Sequence, residues 1–273
     1  MGKKSMLSSY RFDKLLASGV TSSVYRVYKD SVNVCCIVPE DKYLALKAVS
    51  INKYIEDCNS ITKEYDIICK LNHPNIVKAY ALWTNTAIPV ESGIWDCMLI
   101  DYGVSDLYDC ITETGYLDEL QCKVFFKQML DAVAYLHSLN IIHSDIKCEN
   151  FILMRDDTLK LIDFGFAKPF DPNIKTINGK GTPMYGAPEQ VYIQPHKAWT
   201  VDIWALGCCL YAMATGLLPF SMRPEDPFPE LRTGVIFYSQ NSRDICKFIS
   251  FIFIKDHEKR PTAKDLENSS WLN

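Results

Sequence analysis

The chain has 273 residues, of which 48% are hydrophobic and 23% charged, so it is long enough to bury a sizeable core and has the composition of a globular protein. The formal net charge of −4 gives no reason to expect nucleic acid as a partner, and the apolar run 248–254 is too short to span a bilayer. The eleven cysteines are scattered and form no C-x-x-C pair, which argues against a zinc site or a disulfide framework and favours an intracellular location, cytoplasmic or nuclear.

Short β-type segments open the chain. Residues 24–28 and 43–49 alternate apolar and polar side chains and predict strands. The turn before the first of them contains Ala17, Gly19 and Ser22, and by itself this stretch favours a plain hairpin turn. Because alanine and serine are conformationally stiffer than glycine, this turn is expected to be less mobile than a fully glycine-rich one.

A lysine and a glutamate mark the next two predicted elements. Lys47 has apolar neighbours on its predicted strand, so it either reaches solvent or has a partner. A helix predicted from about 60 to 71, with apolar residues at helical spacing, carries the candidate partner Glu64. Pro74 disfavours helix at the preceding residue and ends this element. The polar stretch 87–96 is expected to be an irregular surface turn.

The most informative stretch is 143–165. Asp145, Lys147 and Asn150 cannot share one face of a helix or strand at this spacing, so they are expected on a loop. A short hairpin then leads to a second carboxylate, Asp163, which is followed by Gly165 at a predicted turn. Two acids and an amide can bind divalent cations through oxygen, and a lysine beside them can neutralise a phosphate. This set of groups favours phosphoryl transfer over other reaction classes.

Helical patterns dominate the remaining chain. Residues 119–139 have apolar side chains at intervals of three and four, which predicts a long core helix. Asp202 lies in another apolar helix, where a buried acid needs hydrogen-bond donors. The proline-rich stretch 217–234 predicts a short or distorted helix, and 242–254 and 262–272 predict two closing helices.

Taken together, these segments resemble the protein kinase family. His-Ser-Asp-Ile-Lys-Cys-Glu-Asn at 143–150 is similar to the catalytic loop H-R-D-x-K-x-x-N, and Asp-Phe-Gly at 163–165 matches the metal-binding D-F-G turn. Further matches occur in family order over nearly the whole chain. Residues 17–24 resemble the glycine-rich loop and 44–47 resemble the V-A-I-K strand. Residues 181–189 resemble G-T-x-x-Y-x-A-P-E, and 201–207 resemble the central buried helix. Within the family, the chain looks most like the calcium/calmodulin-dependent and related serine/threonine kinases.

The resemblance implies an α+β fold with two lobes. One is a small lobe made of an antiparallel β-sheet and one helix, and the other is larger and mainly helical. The implied boundaries are a short tail at 1–9 and a kinase domain at 10–273, divided into a small lobe at 10–100, a hinge at 101–103 and a larger lobe at 104–273.

The resemblance also implies roles in transferring the γ-phosphate of ATP to a protein hydroxyl. Asp145 would accept the proton of the substrate hydroxyl or orient it, and Lys147 would contact the γ-phosphate. Thr182 would bond to both of these side chains. Asn150 and Asp163 would hold Mg²⁺.

Nucleotide binding is implied for a wider set of residues. Glu64 would hold Lys47 on the α- and β-phosphates, and Ile100 would be the gatekeeper beside the adenine. The complete set is Ala17, Gly19, Ser22, Val24, Ala45, Lys47, Ile100, Asp101, Gly103, Asp106 and Ile152. Away from the nucleotide, Glu189 would pair with the buried Arg260.

The chain departs from the family pattern at Ser144, where an arginine usually precedes the catalytic aspartate. In relatives with that arginine, a phosphate on the activation segment pairs with it and orders the segment. Serine carries no charge, and Asn178 stands at the usual acceptor position, four residues before Thr182. Thr176 is the nearby residue that can be phosphorylated. The sequence therefore predicts activity without an activation-segment phosphate.

The loss of two glycines from the phosphate loop leaves one alternative open, a pseudokinase scaffold that binds nucleotide or partners without catalysis. The intact positions for lysine, base and metal ligands favour the enzyme. The expected partner is a protein with a serine or threonine acceptor, and Glu149 and Asp106 predict a basic residue upstream of that acceptor. No nucleic acid or membrane partner is expected, and a monomer is the default.

Overall fold

The computed structural model describes residues 7–30, 43–51, 61–177, 179, 181–221 and 225–273. The chain divides into two compact units. The first unit comprises Met1–Asn72 and Val77–Gly103, and the second comprises His73–Ile76 and Val104–Asn273.

The first unit is built on a five-stranded antiparallel sheet. Its strands are β1 (Tyr10–Ser18), β2 (Ser22–Lys29), β3 (Tyr43–Ser50), β4 (Ala79–Ile88) and β5 (Glu91–Asp101). Their order across the sheet is β1-β2-β3-β5-β4. A 3₁₀ turn, Leu7–Ser9, precedes the sheet, and helix α1 (Ile61–Ile68) packs on β4 and β5.

The two faces of this sheet have different compositions because side chains alternate along each strand. One face forms the core of the first unit, and its buried side chains include Tyr25, Leu46, Trp95, Cys97 and Leu99. The residues that alternate with them on the other face are mixed in character and include Arg26, Ala45, Lys47, Met98 and Ile100. The period-two pattern of the sequence therefore fixes which residues are left for a binding surface.

The stretch 87–96 is not the irregular turn that its polar composition predicted. It contains the end of β4 and the start of β5, which pair as a hairpin down to Ile88 and Glu91. Only Pro89 and Val90 form the turn. Trp95 within this stretch is 6% exposed, so its burial in the core outweighs the weak strand propensity of its polar neighbours.

The second unit is mainly helical. Its helices are α2 (Leu107–Thr114), α3 (Glu119–Ser138), α4 (Pro188–Val191), α5 (Thr200–Thr215), α6 (Glu230–Thr233), α7 (Arg243–Ile252) and α8 (Ala263–Glu267). Its strands are β6 (Ser105–Asp106), β7 (Ile141–Ile142), β8 (Phe151–Leu153), β9 (Leu159–Leu161), β10 (Lys168–Pro169), β11 (Lys175–Thr176) and β12 (His196–Lys197). They form three small antiparallel sheets, β6-β8-β9, β7-β10 and β11-β12. The two units confirm the predicted α+β class.

Helix α5 is the centre of the second unit, and every one of its residues is buried. Helices α3 and α7 pack against it. Gly207 permits the close approach of α7, because a Cβ atom there would lie 2.7 Å from a side-chain carbon of Ile252. Trp204 on α5 stacks on Phe220, with ring centroids 5.0 Å apart. A helix buried on all sides provides a rigid base for the loops that contact it.

Local signals explain several helix ends. A capping box starts α3, since the Asp118 carboxylate accepts from the Gln121 N–H at 2.8 Å and the Gln121 side chain accepts from the Asp118 N–H at 3.1 Å. The short α6 fits the irregular segment predicted at 217–234, whereas α8 is shorter than the predicted helix at 262–272.

Candidate active site

In the first unit, Lys47 and Glu64 form an ion pair. Nζ of Lys47 lies 3.0 and 2.8 Å from the two carboxylate oxygens of Glu64. The side chain of Glu64 is 5% exposed and that of Lys47 is 19% exposed. Strand β3 carries the lysine and α1 carries the glutamate, so this pair joins the helix to the sheet. An ammonium held at a fixed position by a buried carboxylate can bind a phosphate oxygen without first losing side-chain freedom.

Strand register brings four of the predicted nucleotide-binding residues to one face of the same sheet. Val24 pairs with Lys47 across β2 and β3, and Ala45 pairs with Ile100 across β3 and β5. Directly paired residues in an antiparallel sheet point to the same side, and so do residues two apart on one strand. These four side chains therefore share the face opposite the core.

The remaining candidates of the first unit lie on a turn and at a strand end. Ala17 pairs with Val24 at the end of the β1–β2 hairpin, and the N–H of Gly19 donates to the carbonyl oxygen of Ser22 at 2.7 Å, closing the turn between the strands. Asp101 ends β5, and its carboxylate accepts from the Lys78 N–H at 2.9 Å. The Asp101 side chain is thus engaged with its own unit.

Gly103, the last residue of the first unit, follows Asp101 just beyond the end of β5. The end of β5 is also held by Tyr80, whose hydroxyl donates to the carboxylate of Asp101 at 2.6 Å. Burial, followed by this hydrogen bond, raises the pKa of Tyr80 above its ordinary value. The main-chain N–H of Asp101 is engaged as well, since it donates to the carbonyl oxygen of Lys78 at 3.2 Å.

In the second unit, three predicted residues form a compact hydrogen-bonded cluster. One carboxylate oxygen of Asp145 accepts from the N–H of Thr182 at 2.8 Å and from its hydroxyl at 2.7 Å. The other oxygen lies 2.8 Å from Nζ of Lys147, which also donates to the Thr182 hydroxyl at 3.0 Å. Asp145 is 5% exposed. The cluster ties the loop at 143–150 to the segment around Thr182 and fixes the direction of the Asp145 carboxylate.

The β8–β9 hairpin brings the two predicted metal ligands together. Phe151 pairs with Leu161 at the open end of the hairpin, so the residues just outside it, Asn150 and Ile162, are neighbours. The N–H of Ile162 donates to the carbonyl oxygen of Asn150 at 2.9 Å, and Asp163 follows directly. Asn150 Nδ2 also donates to the carbonyl oxygen of Asp145 at 2.8 Å.

Asp163 has a left-handed backbone, with φ 62° and ψ 71°. This conformation is uncommon outside glycine and asparagine or aspartate. The next residue, Phe164, is 1% exposed and packs edge-on against His143, with ring centroids 4.9 Å apart. The buried phenyl ring and the unusual backbone together hold the Asp163 carboxylate at the end of the hairpin.

Asp202 on α5 holds the backbone of the loop. Its carboxylate accepts from the N–H groups of His143 and Ser144, each at 2.9 Å, and lies 3.0 Å from Nε2 of His137. These are the backbone donors that the buried acid was expected to need. Burial raises the pKa of Asp202, but the hydrogen bond and charge of His137 and the amide of His143 outweigh it, so the net shift is downward. The carboxylate therefore stays ionised at neutral pH.

Glu189 and Arg260 form a fully buried ion pair. Their side chains are 1% and 0% exposed, and the guanidinium contacts both carboxylate oxygens, at 2.5 and 3.0 Å. Arg260 also donates to the carbonyl oxygens of Thr200 and Ile254. Burial raises the pKa of Glu189, but the hydrogen bonds and charge of Arg260 lower it by more, so the pKa of Glu189 lies below its ordinary value. The predicted pair thus links the end of the segment at 181–189 to the base of the second unit.

Asp106 and Ile152 pair across β6 and β8. The Asp106 carboxylate caps α2 by accepting from the N–H of Asp109 at 2.9 Å. Burial raises the pKa of Asp106, although that amide opposes the shift. Asp106 thus has a structural role at the start of a helix that the sequence reasoning did not anticipate, although an aspartate followed by the apolar Leu107 and later by Gly115 is a recognisable signal.

The oxygen donors at Asn150 and Asp163 suit Mg²⁺, which commonly takes one or two protein oxygens and completes its shell with phosphates and water. No cluster of three or more histidine, cysteine, aspartate or glutamate side chains that could hold a metal occurs in the described part of the chain. The fixed ammonium groups of Lys47 and Lys147 suit the phosphates of a nucleotide. Among the described helices, none is long and apolar enough to cross a membrane.

Sequence reasoning missed the contacts that fasten the middle of the segment 166–189. β11 pairs with β12, and Glu258 lies 2.7 Å from Nζ of Lys175 and 3.2 Å from Nζ of Lys197. Two-residue strands and single surface charges carry no periodic signal, so only the tertiary structure reveals them. Asn178, which entered the sequence argument on regulation, lies outside the described residues.

Comparison with known protein families matches residues 10–272 to the protein kinase domain. Similar proteins include human NUAK family SNF1-like kinase 2, which is 26% identical over 99% of this chain and 41% of its own length. Probable serine/threonine-protein kinase MARK-A of Dictyostelium discoideum is 29% identical over 86% of this chain and 22% of its own length. Mouse Sperm motility kinase 2B is 30% identical over 79% of this chain and 44% of its own length.

The chain thus spans less than half the length of each of these relatives. The family match covers nearly all of it, and the ion pair of the first unit and the Asp145 cluster of the second lie at the positions matched by motif. The chain therefore belongs to the protein kinase domain family.

Proposed function

We propose that the chain is a serine/threonine protein kinase that transfers the γ-phosphate of ATP, with Mg²⁺, to a protein hydroxyl. The observation that carries this proposal is the cluster of Asp145, Lys147 and Thr182, one hairpin away from the oxygen donors of Asn150 and Asp163. A threonine bonded to both the acid and the lysine matches the serine/threonine form of the family motif. The relatives with printed serine/threonine names agree with that form.

In this proposal, Asp145 receives the proton of the substrate hydroxyl or directs its lone pair at the γ-phosphorus. A bond then forms between the hydroxyl oxygen and that phosphorus, while the bond from phosphorus to the bridging oxygen of ADP breaks. Lys147 neutralises charge on the transferred group. Asn150 and Asp163 hold Mg²⁺, which supplies positive charge to the phosphates when bound.

Nucleotide binding in this proposal uses the face of the first-unit sheet opposite its core. Lys47 contacts the α- and β-phosphates, and Glu64 keeps its ammonium in place. The small side chains at Ala17, Gly19 and Ser22 allow close backbone approach to the phosphates. The main chain at 101–103, proposed as the hinge of a kinase domain spanning 10–273, recognises the base.

We further propose that activity needs no phosphate on the activation segment, residues 166–189. Uncharged Ser144 offers no cation for such a phosphate. Contacts that need no modification already engage the segment: Thr182 bonds to Asp145, and Lys175 pairs with Glu258. Phosphatase treatment is expected to leave activity unchanged. Loss of activity, together with a phosphate mapped to Thr176, would contradict this part of the proposal.

Substrate and location are part of the same proposal. The expected partner is an intracellular protein with a serine or threonine acceptor, and the carboxylates of Glu149 and Asp106 favour a basic residue upstream of it. A peptide array that shows no preference for arginine or lysine upstream of the acceptor would contradict this role of the two carboxylates. The monomer is kept as the proposed state.

The decisive experiment is transfer of labelled γ-phosphate to a mixed peptide library. Asp163→Ala is expected to abolish the signal, and Asp145→Asn to lower turnover by roughly 10²–10⁴-fold, as for removal of a general base. Asp156→Asn, an exposed acid on the β8–β9 turn, is the matched control and should behave as the wild type. A wild-type signal no higher than that of Asp163→Ala would reject the enzyme. A thermal shift with Mg-ATP would then separate a nucleotide-binding scaffold from one that binds no nucleotide.

A further inference from the structure

A buried histidine lies behind the activation segment. His196 on β12 pairs in register with Thr176 on β11, so its backbone belongs to the small sheet that fastens the segment. Its side chain is completely buried. His196 is not one of the catalytic or binding positions that the resemblance implied.

The hydrogen bonds of His196 define its neutral tautomer. Nδ1 lies 2.7 Å from the carbonyl oxygen of Gln194, so Nδ1 carries the proton and donates. Nε2 then has a lone pair, and it has no hydrogen-bond partner among the described residues. A second proton would bind to Nε2, and the resulting N–H would have no hydrogen-bond acceptor among the described residues.

The charged and titratable neighbours act in opposite directions: the charge of Glu189 favours a second proton on His196, and the charges of His257 and Arg260 disfavour it. Arg260 is a fixed cation, and Glu189, the nearest acid on α4, is already bonded to it through both oxygens. The His257 ring faces His196 with centroids 6.4 Å apart. The groups that remain around the sheet are Lys175, Lys197, Lys255 and Glu258, the last of which lies between the first two lysines.

We infer that neutral His196 is a positioning residue that holds the activation segment on β12, and that its protonation releases the segment. The inference rests on the proposed kinase function only for its effect on turnover, because the release itself can be measured without substrate. Burial is the main cause that lowers the pKa of His196 below its ordinary value. The hydrogen bond to Gln194 and the charge of Glu189 oppose this shift, and the charges of His257 and Arg260 add to it.

The sign of the pH effect follows from that direction. A histidine whose pKa is lowered in the attached form contributes nothing above its ordinary pKa of about 6.5, where it is neutral in both forms, and it destabilises the attached form as the pH falls below that value. One proton is taken up on release. The equilibrium between attached and released segment therefore changes by at most about tenfold per pH unit.

Hydrogen exchange of the whole chain at pH 5.5–7.5, corrected for intrinsic exchange rates, tests this inference. Amides at 172–177 of the wild type should lose protection as the pH falls below about 6.5, by up to about tenfold per pH unit. His196→Asn keeps a donor for the Gln194 carbonyl but cannot titrate, so its protection should not change over this range. His257→Asn removes one of the charges that lower the pKa of His196, so it should keep a pH dependence that is displaced to higher pH.

Two results would overturn the inference: a pH-independent wild type, or the same pH dependence in His196→Asn. If His196→Asn does not fold, His196→Gln gives a second non-titrating variant. Peptide phosphorylation measured over the same pH range is expected to follow the exchange profile. A pH-dependent exchange without any phosphate transfer would reject the kinase function and leave the inference about the segment intact.

Discussion

The buried pair of Glu189 and Arg260 gives the sharpest stability prediction. Glu189→Gln removes one charge and leaves the Arg260 guanidinium completely buried without its counter-ion. Breaking a buried ion pair on one side costs about 3–5 kcal/mol, equivalent for a chain of 273 residues to a fall in melting temperature of about 5–9 °C. The damage is larger than for an ordinary hydrogen bond because the remaining charge is far from water.

A double-mutant cycle separates the interaction from the general effect of each substitution. Glu189→Met alone leaves the guanidinium unpaired, Arg260→Met alone leaves the Glu189 carboxylate unpaired, and the combination of the two substitutions removes both charges. The double variant is expected to be more stable than either charge-removing single variant, because no unpaired ion remains. Trp204, whose ring lies 4.9 Å from the guanidinium, can still pack on the methionine side chain.

The assay is thermal and chemical denaturation at neutral and acidic pH. The pKa of Glu189 is lowered in the folded state. Its contribution to the free energy of unfolding is therefore present at neutral pH and is lost as the pH falls below the ordinary glutamate value of about 4.3. Glu189→Gln should weaken that acid dependence. Asp244→Asn, which breaks a mostly exposed pair with Lys247, is the matched control and should leave the melting temperature nearly unchanged. Equal effects of Glu189→Gln and Asp244→Asn would refute the reasoning.

Three further predictions concern activity. Glu64→Gln should weaken the hold on Lys47 and lower phosphate transfer at least tenfold, measured by steady-state kinetics over a range of ATP concentrations. Gly181→Ala should impair transfer strongly, because φ is +123° there and a Cβ atom would lie 2.6 Å from a backbone oxygen of the catalytic loop. Gly179→Ala is its matched control, with 3.8 Å to the nearest atom, and should retain activity in the same assay. Asp202→Asn should cost about 2–4 kcal/mol by leaving a catalytic-loop amide without its acceptor, and circular dichroism melts together with turnover would check this.

The sequence by itself predicted the chemistry of the candidate site and the order of its residues along the chain. Asp145, Lys147 and Asn150 were predicted on one loop because no regular period can place them on one face. A partner for Lys47 was expected because a charged group in an apolar element needs one, with Glu64 as the candidate. The pair of Glu189 with Arg260 was expected from the resemblance to the kinase family. The first inference depends on the free energy of burying a charge and the second on matching motifs, and both use only the order of residues.

Tertiary structure decided what local spacing does not encode. The stretch 87–96 is polar, yet it forms a hairpin because Trp95 and Cys97 complete the core of the first unit. Propensity is weak in comparison with the burial of such side chains. Helix α2 was not predicted for the opposite reason: its eight residues are too few for a clear helical period, although Asp106 and Gly115 mark its ends.

The regulation of the activation segment shows the same division. The sequence determined that Ser144 carries no cation for a phosphate, because that property belongs to one side chain. Only the folded chain places Thr176 beside His196 and Lys175 beside Glu258, since these residues are distant in sequence and meet through two-residue strands and surface charges. The free energy of such contacts depends on burial and distance, which a linear pattern of residues does not contain.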